Sequence, residues 1–200
     1  TSMINKHILV TGGAGFIGSN LVKRLVHDGA HVSVVVKYHS IIDCPRLCSV
    51  WKDIEVLEAD LRNIDSVISM ANQQYDTIFH LAAYNHVGDS FVNANEALQS
   101  NLLSTVNLLE NGPDYHRFIY TSTSEVYGYQ TNVPFQESSS VPFPISPYSV
   151  GKYSGELYAR MKRHQTGKEI ICLRPFNTFG PYQSERAVIP ELINKCLRGL

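Results

Sequence analysis

Tyr148 and Lys152 stand four residues apart in Tyr148-Ser149-Val150-Gly151-Lys152, the spacing that puts two side chains on one helix face. A phenol with its ordinary pKa near 10 is a poor base at neutral pH, but a neighbouring ammonium favours the phenolate. Such a pair can take the proton of an alcohol. Two side chains at this spacing are a frequent coincidence, so the pair gains meaning only from what surrounds it. Upstream, at the end of an apolar run, lies the hydroxyl-rich string Thr121-Ser122-Thr123-Ser124-Glu125-Val126-Tyr127-Gly128, which carries a carboxylate beside its hydroxyls.

A second constellation opens the chain. Thr11-Gly12-Gly13-Ala14-Gly15-Phe16-Ile17-Gly18 follows a short apolar run and leads into a stretch of helical period. Gly12 permits a tight turn, Gly15 lets the backbone approach a pyrophosphate, and Gly18 lets the helix pack closely on the sheet. The helix N-terminus attracts the phosphate charge. Between a buried strand and an amphipathic helix, this array reads as a dinucleotide site for NAD(P). The positive charge of an oxidised nicotinamide would add to that of Lys152 in favouring the phenolate. At the end of the second strand an acidic residue would bind the adenosine ribose and reject a 2′-phosphate. The chain has Val36-Lys37-Tyr38-His39-Ser40 there, and the cation at Lys37 favours NADP over NAD.

The elements that must position these residues are legible as an alternation. Apolar runs at His7–Thr11, His31–Val36, Ile54–Glu58, Thr77–Leu81, Arg117–Ser122 and Glu169–Arg174 read as strands. Between them, helical periods run near Gly15–Asp28, Ile64–Asn72, Ala94–Glu110, Tyr148–Gln165 and Ala187–Arg198. The first buries Phe16, Ile17, Leu21, Val22, Leu25 and Val26 on one stripe and stops at Gly29. The expected fold is α/β: a Rossmann-like, doubly wound parallel sheet with helices on both faces. The proline- and serine-rich stretch from Gln130 to Pro147 reads as a functional loop ahead of a helix. Residues 1–180 form the expected NAD(P)-binding domain with the catalytic residues, and 181–200 begin a substrate-binding portion. No repeat or interdomain linker is evident.

Composition narrows the partners. With 200 residues, 44% of them hydrophobic, the chain can bury a full core. Its 17 basic and 18 acidic side chains offer no field of one sign for nucleic acid or an anionic membrane. A small-molecule substrate follows as the default. No apolar run approaches the roughly 20 residues of a membrane helix. Cys44, Cys48, Cys172 and Cys196 contain no CxxC pair and no companion cluster of ligand spacing, so no metal and a reduced, cytoplasmic setting are expected. Thr1 and Ser2 before Met3 read as residues left by cloning.

In order along the chain, TGGAGFIG, Asp60-Leu61, His80-Leu81-Ala82-Ala83, Asn101 within Asn101-Leu102-Leu103-Ser104-Thr105, and the YxxxK pair resemble the motifs of extended short-chain dehydrogenases/reductases. The resemblance implies that Asp60 meets the adenine amino group and that Leu61, Leu81, Ala82 and Ala83 line the cofactor with Phe16 and Ile17 of the loop. It further implies that Asn101 supports the active site, that Thr123 binds the reacting oxygen, and that Lys152 reaches the nicotinamide ribose. Arg174-Pro175-Phe176-Asn177-Thr178-Phe179-Gly180-Pro181 resembles the RPxNxxG segment of sugar-nucleotide members. Substrate contact is implied at His86, Ser90, Asn177 and Pro190. Family members continue into a smaller C-terminal substrate domain, mostly absent from this chain, and commonly form homodimers.

The implied activity is transient oxidation at C4 of a nucleotide-diphosphate sugar, and three outcomes stay open. A 4,6-dehydratase then uses a second base on the C5 proton, a UDP-glucuronate decarboxylase loses carbon dioxide, and an epimerase returns hydride to the other face. Dehydratases of deoxythymidine diphosphate-glucose carry Asp-Glu where this chain has Ser124-Glu125, so the base is kept and the usual acid is not. The string around Glu125, taken with RPFNTFGP, resembles UDP-N-acetylglucosamine-type 4,6-dehydratases most. Dehydratase is the leading reading, then decarboxylase, then epimerase. A cofactor-binding sensor without catalysis is least favoured, because tyrosine and lysine are both present.

Overall fold

Strand β1 (His7–Thr11) is apolar on both faces, as a central strand covered on two sides must be. Ile8 and Val10 point to one layer and Leu9 to the other. The computed structural model describes residues 3–39 and 41–199, so the readings placed on Thr1, Ser2 and Ser40 lie outside the described residues. Around β1 assemble β2 (His31–Val36), β3 (Ile54–Glu58), β4 (Gln74–His80), β5 (Asp114–Thr121) and β6 (Glu169–Leu173). Every pairing is parallel, in the order β3-β2-β1-β4-β5-β6. The expected doubly wound sheet is therefore the fold. The order reverses between β1 and β4, and the crevice beyond their C-terminal ends is where such sheets bind ligands.

Helix α1 (Phe16–His27) and a 3-10 helix at Pro45–Val50 cover one face, where Val22, Leu25 and Leu47 meet Ile8, Val10, Val32 and Val34. Helices α2 (Ile64–Ile68), α5 (Ser104–Asn111) and α6 (Pro147–Thr166) cover the other. There Val67, Leu108 and Ala159 pack on Leu9, Ile78, Phe118 and Tyr120. Each fully buried Val, Leu or Ile contributes roughly 1.5–3 kcal/mol against exposure. Helix α3 (Val87–Ser90), α4 (Ala94–Leu98) and α7 (Val188–Leu197) complete the chain. No described helix is long and apolar enough to cross a membrane.

The structure departs from the sequence reading in four places. Phe16 and Ile17 do not join the buried stripe of α1. Ile17 is 41% exposed, because the first turn projects past the sheet into the crevice, and the buried face begins at Gly18 and Ser19. The single helix expected from Ala94 to Glu110 is broken by a π-helical turn at Gln99–Leu103, between α4 and α5. Strands β4 and β5 begin three residues earlier than their apolar runs, where Gln74 pairs with Asp114. The short elements at Pro45–Val50, Val87–Ser90 and Ser124–Tyr127 carry no periodicity long enough to read.

Candidate active site

The turn after β1 leaves no room for a side chain at Gly12 or Gly18. Gly12 has φ +69°, and a Cβ on it would sit 2.6 Å from the Ala82 amide nitrogen. A Cβ on Gly18 would overlap the Gly12 carbonyl, so α1 can pass this close only with glycine there. Gly15 is the N-cap of α1 and supplies no side-chain cap, which leaves first-turn N–H groups for an anion in the crevice. Two adjoining clefts share this turn. A 690 Å³ cleft runs over Gly12 and Gly15 toward Lys37, Asp60, Leu61, Leu81, Ala82 and Ala83. A 320 Å³ cleft runs the other way, over Phe16, Ile17 and Gly18 to Thr123, Ser124, Glu125, Tyr148, Lys152 and Asn177. The cradle fits a dinucleotide, since the two clefts meet at the turn whose N–H groups would face its pyrophosphate.

Helix α6 sets the tyrosine and lysine. Ser146 caps it in a reciprocal box with Ser149, Pro147 takes the first turn, and Gly167 ends it at φ +70°. Tyr148 thereby falls in the first turn and Lys152 one turn further, both facing the strand ends. Thr123 ends β5's extension, where its hydroxyl accepts the Glu125 amide at 3.2 Å and caps the 3-10 turn that carries Glu125. Burial pushes the Tyr148 phenol up, the Thr123 hydroxyl pulls it back, and Glu125 adds to the rise. The relief expected from Lys152 is not seen in the chain alone. Burial draws the pKa of that lysine down to about 7, and its ammonium lies 4.8 Å from the centre of the Tyr120 ring. Tyr120 is itself pinned by a 2.9 Å hydrogen bond to the Lys152 carbonyl.

The remaining expected residues divide into those that line the clefts and those that hold the lining in place. Asp60 lines the larger cleft with its carboxylate gripped by Arg62 at 2.6 and 2.9 Å, which lowers its pKa. Lys37 stands exposed on the same rim. His86 caps α3 from that cleft, its Nδ1 3.3 Å from the Asp89 amide. Asn101 lines neither cleft. It is buried in the π turn, accepting the Tyr84 N–H at 2.9 Å and donating to the Tyr84 carbonyl at 3.0 Å, and so fixes the segment after Ala83. Ser90 also faces neither cleft. Its hydroxyl is fully buried, donates to the Val87 carbonyl and accepts the Tyr148 amide at 3.2 Å, so it props the tyrosine rather than meeting a ligand. Pro190, within α7, is brought to neither cleft.

Sequence reasoning missed several residues of the site. Arg62 carries Asp60, and Ser184 and Arg186 reach the larger cleft from beyond β6. Glu156, buried on α6, holds Arg174 through hydrogen bonds of 2.6 and 3.0 Å and so fixes the start of the Arg174–Pro181 segment. A signal for Glu156 existed: Tyr148, Lys152 and Glu156 continue one i, i+4, i+8 stripe. Arg174 also lies over the Tyr127 ring at 4.7 Å. His80, fully buried, bridges Thr11 at 2.7 Å and Thr105 at 3.0 Å, and burial keeps it neutral with a pKa of about 3.

A doubly wound sheet whose glycine turn and tyrosine–lysine helix share one crevice is the arrangement of an extended short-chain dehydrogenase/reductase. Within that class the chain belongs to the GDP-mannose 4,6 dehydratase family, whose model matches residues 9–200. It is 35% identical over 191 residues to a UDP-glucose 4-epimerase of Cyamopsis tetragonoloba, covering 88% of this chain and 53% of that protein. Among solved structures, a UDP-N-acetylglucosamine 4-epimerase from Methanobrevibacter ruminantium superposes with a TM-score of 0.84 at 31% identity, over 98% of this chain and 64% of that one. A dTDP-glucose 4,6-dehydratase double mutant from Streptomyces venezuelae, with NAD bound, superposes at 0.82 with 28% identity, over 96% and 63%. The chain thus spans about half to two thirds of the length of these three proteins.

Proposed function

We propose that this chain is the dinucleotide-binding and catalytic part of an enzyme that oxidises C4 of a nucleotide-diphosphate sugar, acting as a 4,6-dehydratase of a UDP- or dTDP-sugar. One observation carries the reading: Thr123, Glu125, Tyr148, Lys152 and Asn177 line a single cleft with the glycine turn. A bound nicotinamide supplies the acceptor and later the donor of hydride. Tyr148, ionised to its phenolate, takes the C4 hydroxyl proton onto its oxygen, and Thr123 donates a hydrogen bond to the same substrate oxygen. Lys152 holds the nicotinamide ribose, and Asn177 faces the diphosphate or sugar. Glu125 then removes the C5 proton, made acidic by the adjacent ketone, and the C6 hydroxyl leaves as water with the proton from the carboxyl so formed; hydride then returns to C6 and a proton to C5. His86 lines the larger cleft, away from Tyr148, and its substrate contact stays a proposal; Ser90 and Pro190 are given no contact.

The test is Glu125→Gln in the complete protein, following cofactor absorbance and solvent-deuterium uptake at C5. The variant should still reduce the cofactor and should stall before water is lost. Undiminished deuterium uptake would remove Glu125 from the mechanism. A second reading keeps the C4 oxidation but ends in decarboxylation or epimerisation. It is favoured by Ser124, which stands where an acid would protonate the departing hydroxyl, and by the epimerases among the relatives.

For the cofactor, the fold supports a nicotinamide dinucleotide, and Lys37 supports NADP over NAD. Lys37→Ala should cost NADP affinity about tenfold and leave NAD unchanged in a binding titration. A preference for NAD that survives the substitution would reverse the assignment. We place the protein in the cytoplasm, supported by the free thiols of Cys48, Cys172 and Cys196, and assign residues 181–200 to the start of the substrate-binding portion. The assembly we propose is a homodimer, supported by exposed apolar side chains at Val150, Leu157 and Met161 along α6.

A further inference from the structure

The loop between β6 and α7 crosses back over the glycine turn, and the contacts that hold it there come from outside both clefts' linings. The Pro181 carbonyl accepts a hydrogen bond from Asn20 Nδ2 at 3.1 Å. The Tyr182 carbonyl accepts one from Arg46 Nε at 3.1 Å, and Arg46 Nη1 donates to the Ala14 carbonyl at 3.5 Å. One guanidinium therefore ties the loop directly to the glycine turn. Lys23 of α1 lies 3.9 Å from the centre of the Tyr182 ring. Tyr182 is held at φ +67°, a backbone region that a residue with a Cβ occupies only when its surroundings impose it. Beyond this point Ser184 and Arg186 reach the larger cleft.

We propose that the Pro181–Tyr182 strap is a clasp that retains the dinucleotide, with Asn20, Lys23 and Arg46 as positioning residues that keep it closed. The two walls of the cofactor crevice are the glycine turn with α1 on one side and residues 175–178 on the other. The strap joins them. The residues on either side of the strap line the two clefts, Pro175, Phe176, Asn177 and Thr178 the smaller and Ser184 and Arg186 the larger, so a dinucleotide spanning both clefts would be held by both ends of the segment that the strap fastens to α1. The inference rests on the proposed function, which gives the clasp its purpose: an enzyme that removes hydride from its substrate and returns it to the same molecule works only if the cofactor stays bound between the two events.

The experiment measures release of bound cofactor from the complete protein by stopped-flow chase. It compares wild type with Arg46→Ala, with Arg46→Lys, with the triple variant Asn20→Ala/Lys23→Met/Arg46→Ala, and with Tyr182→Leu, which weakens the clasp from the strap side. Arg46→Ala should speed release about tenfold, the loss expected for a charged hydrogen-bond bridge. The triple variant should release faster still, and Arg46→Lys, which can hold one carbonyl but not both, should fall between. Single-turnover reduction of cofactor already bound should be unchanged, since none of these side chains touches the reacting atoms. A merely structural role would instead lower the melting temperature and leave release as it was. Release within twofold of wild type in both the triple variant and Tyr182→Leu overturns the clasp while leaving the proposed function standing. A wild-type protein that holds no nicotinamide cofactor brings down the proposed function and the clasp together.

Discussion

Lys152 carries its charge into a place that opposes it. Burial lowers its pKa from 10.5 to about 7, so between those values the unfolded chain binds a proton that the folded chain has released. Stability is therefore lost as pH falls from 10.5 toward 7 and stays flat below. Lys152→Met should stabilise the cofactor-free protein by at most about 4 kcal/mol near pH 7, a gain that fades as pH rises toward 10. Urea melts across that range decide it, and an equal gain at both ends would show that burial is not the cause. Tyr148→Phe removes a phenol that burial also disfavours as an anion, so cofactor affinity should survive while sugar oxidation falls about 10²–10⁴-fold. At this scale the sequence shows what one motif can show. Tyr148, Lys152, Thr123 and the glycines announce themselves by type and spacing. Ser90 does not, because its work is done on Tyr148, far along the chain, and the stripe that carries Glu156 says nothing of its distant partner Arg174.

Between α6 and the α4–α5 segment the packing is set by glycine and by a register change. A Cβ on Gly155 would overlap the Tyr120 hydroxyl and stand 2.8 Å from the Asn101 carbonyl, and one on Gly151 would meet the Asn101 side chain at 3.0 Å. The π turn at Gln99–Leu103 delivers Asn101 into this contact, with Thr105 closing back on the Asn101 carbonyl at 3.1 Å. Gly155→Ala should thus cost about 1–3 kcal/mol in a denaturant melt and, by displacing α6, lower turnover without touching a ligand. A fully stable and active variant would show that the helices can part freely. Helical periodicity predicts an unbroken helix here. The extra residue of the π turn is repaid by Tyr84 through two tertiary hydrogen bonds, and no local signal in the sequence records it.

Across the molecule, apolar surface is distributed unevenly. Helix α7 buries none of its residues, while Val188, Leu192, Ile193 and Leu197 are each more than half exposed. On α6 the outward residues Val150, Leu157 and Met161 are each 41–46% exposed and lie on the side away from the sheet. If that face builds the proposed dimer, sedimentation velocity should return twice the subunit mass, and Leu157→Glu with Met161→Glu should halve it while leaving the fold intact by circular dichroism. A monomer before substitution would end the proposal. The parallel pairing and both-faced covering follow from the alternation of apolar runs and helical periods, whereas the strand order does not. The uncovered face of α7 could not be foreseen, since amphipathic spacing says that a face is apolar and not whether anything meets it.

The position of β1 has one more consequence, which concerns synthesis rather than chemistry. Its second partner, β4, lies roughly sixty residues further along the chain. At about 5–20 residues per second, a ribosome leaves one edge of this very apolar strand unpaired for about 3–12 s. During that interval the nascent β1–β3 half presents an open template for strands of other chains. Nascent chains halted before Gln74 should therefore stay protease-sensitive and recruit holding chaperones. Those halted after Thr121 has emerged should lose both properties.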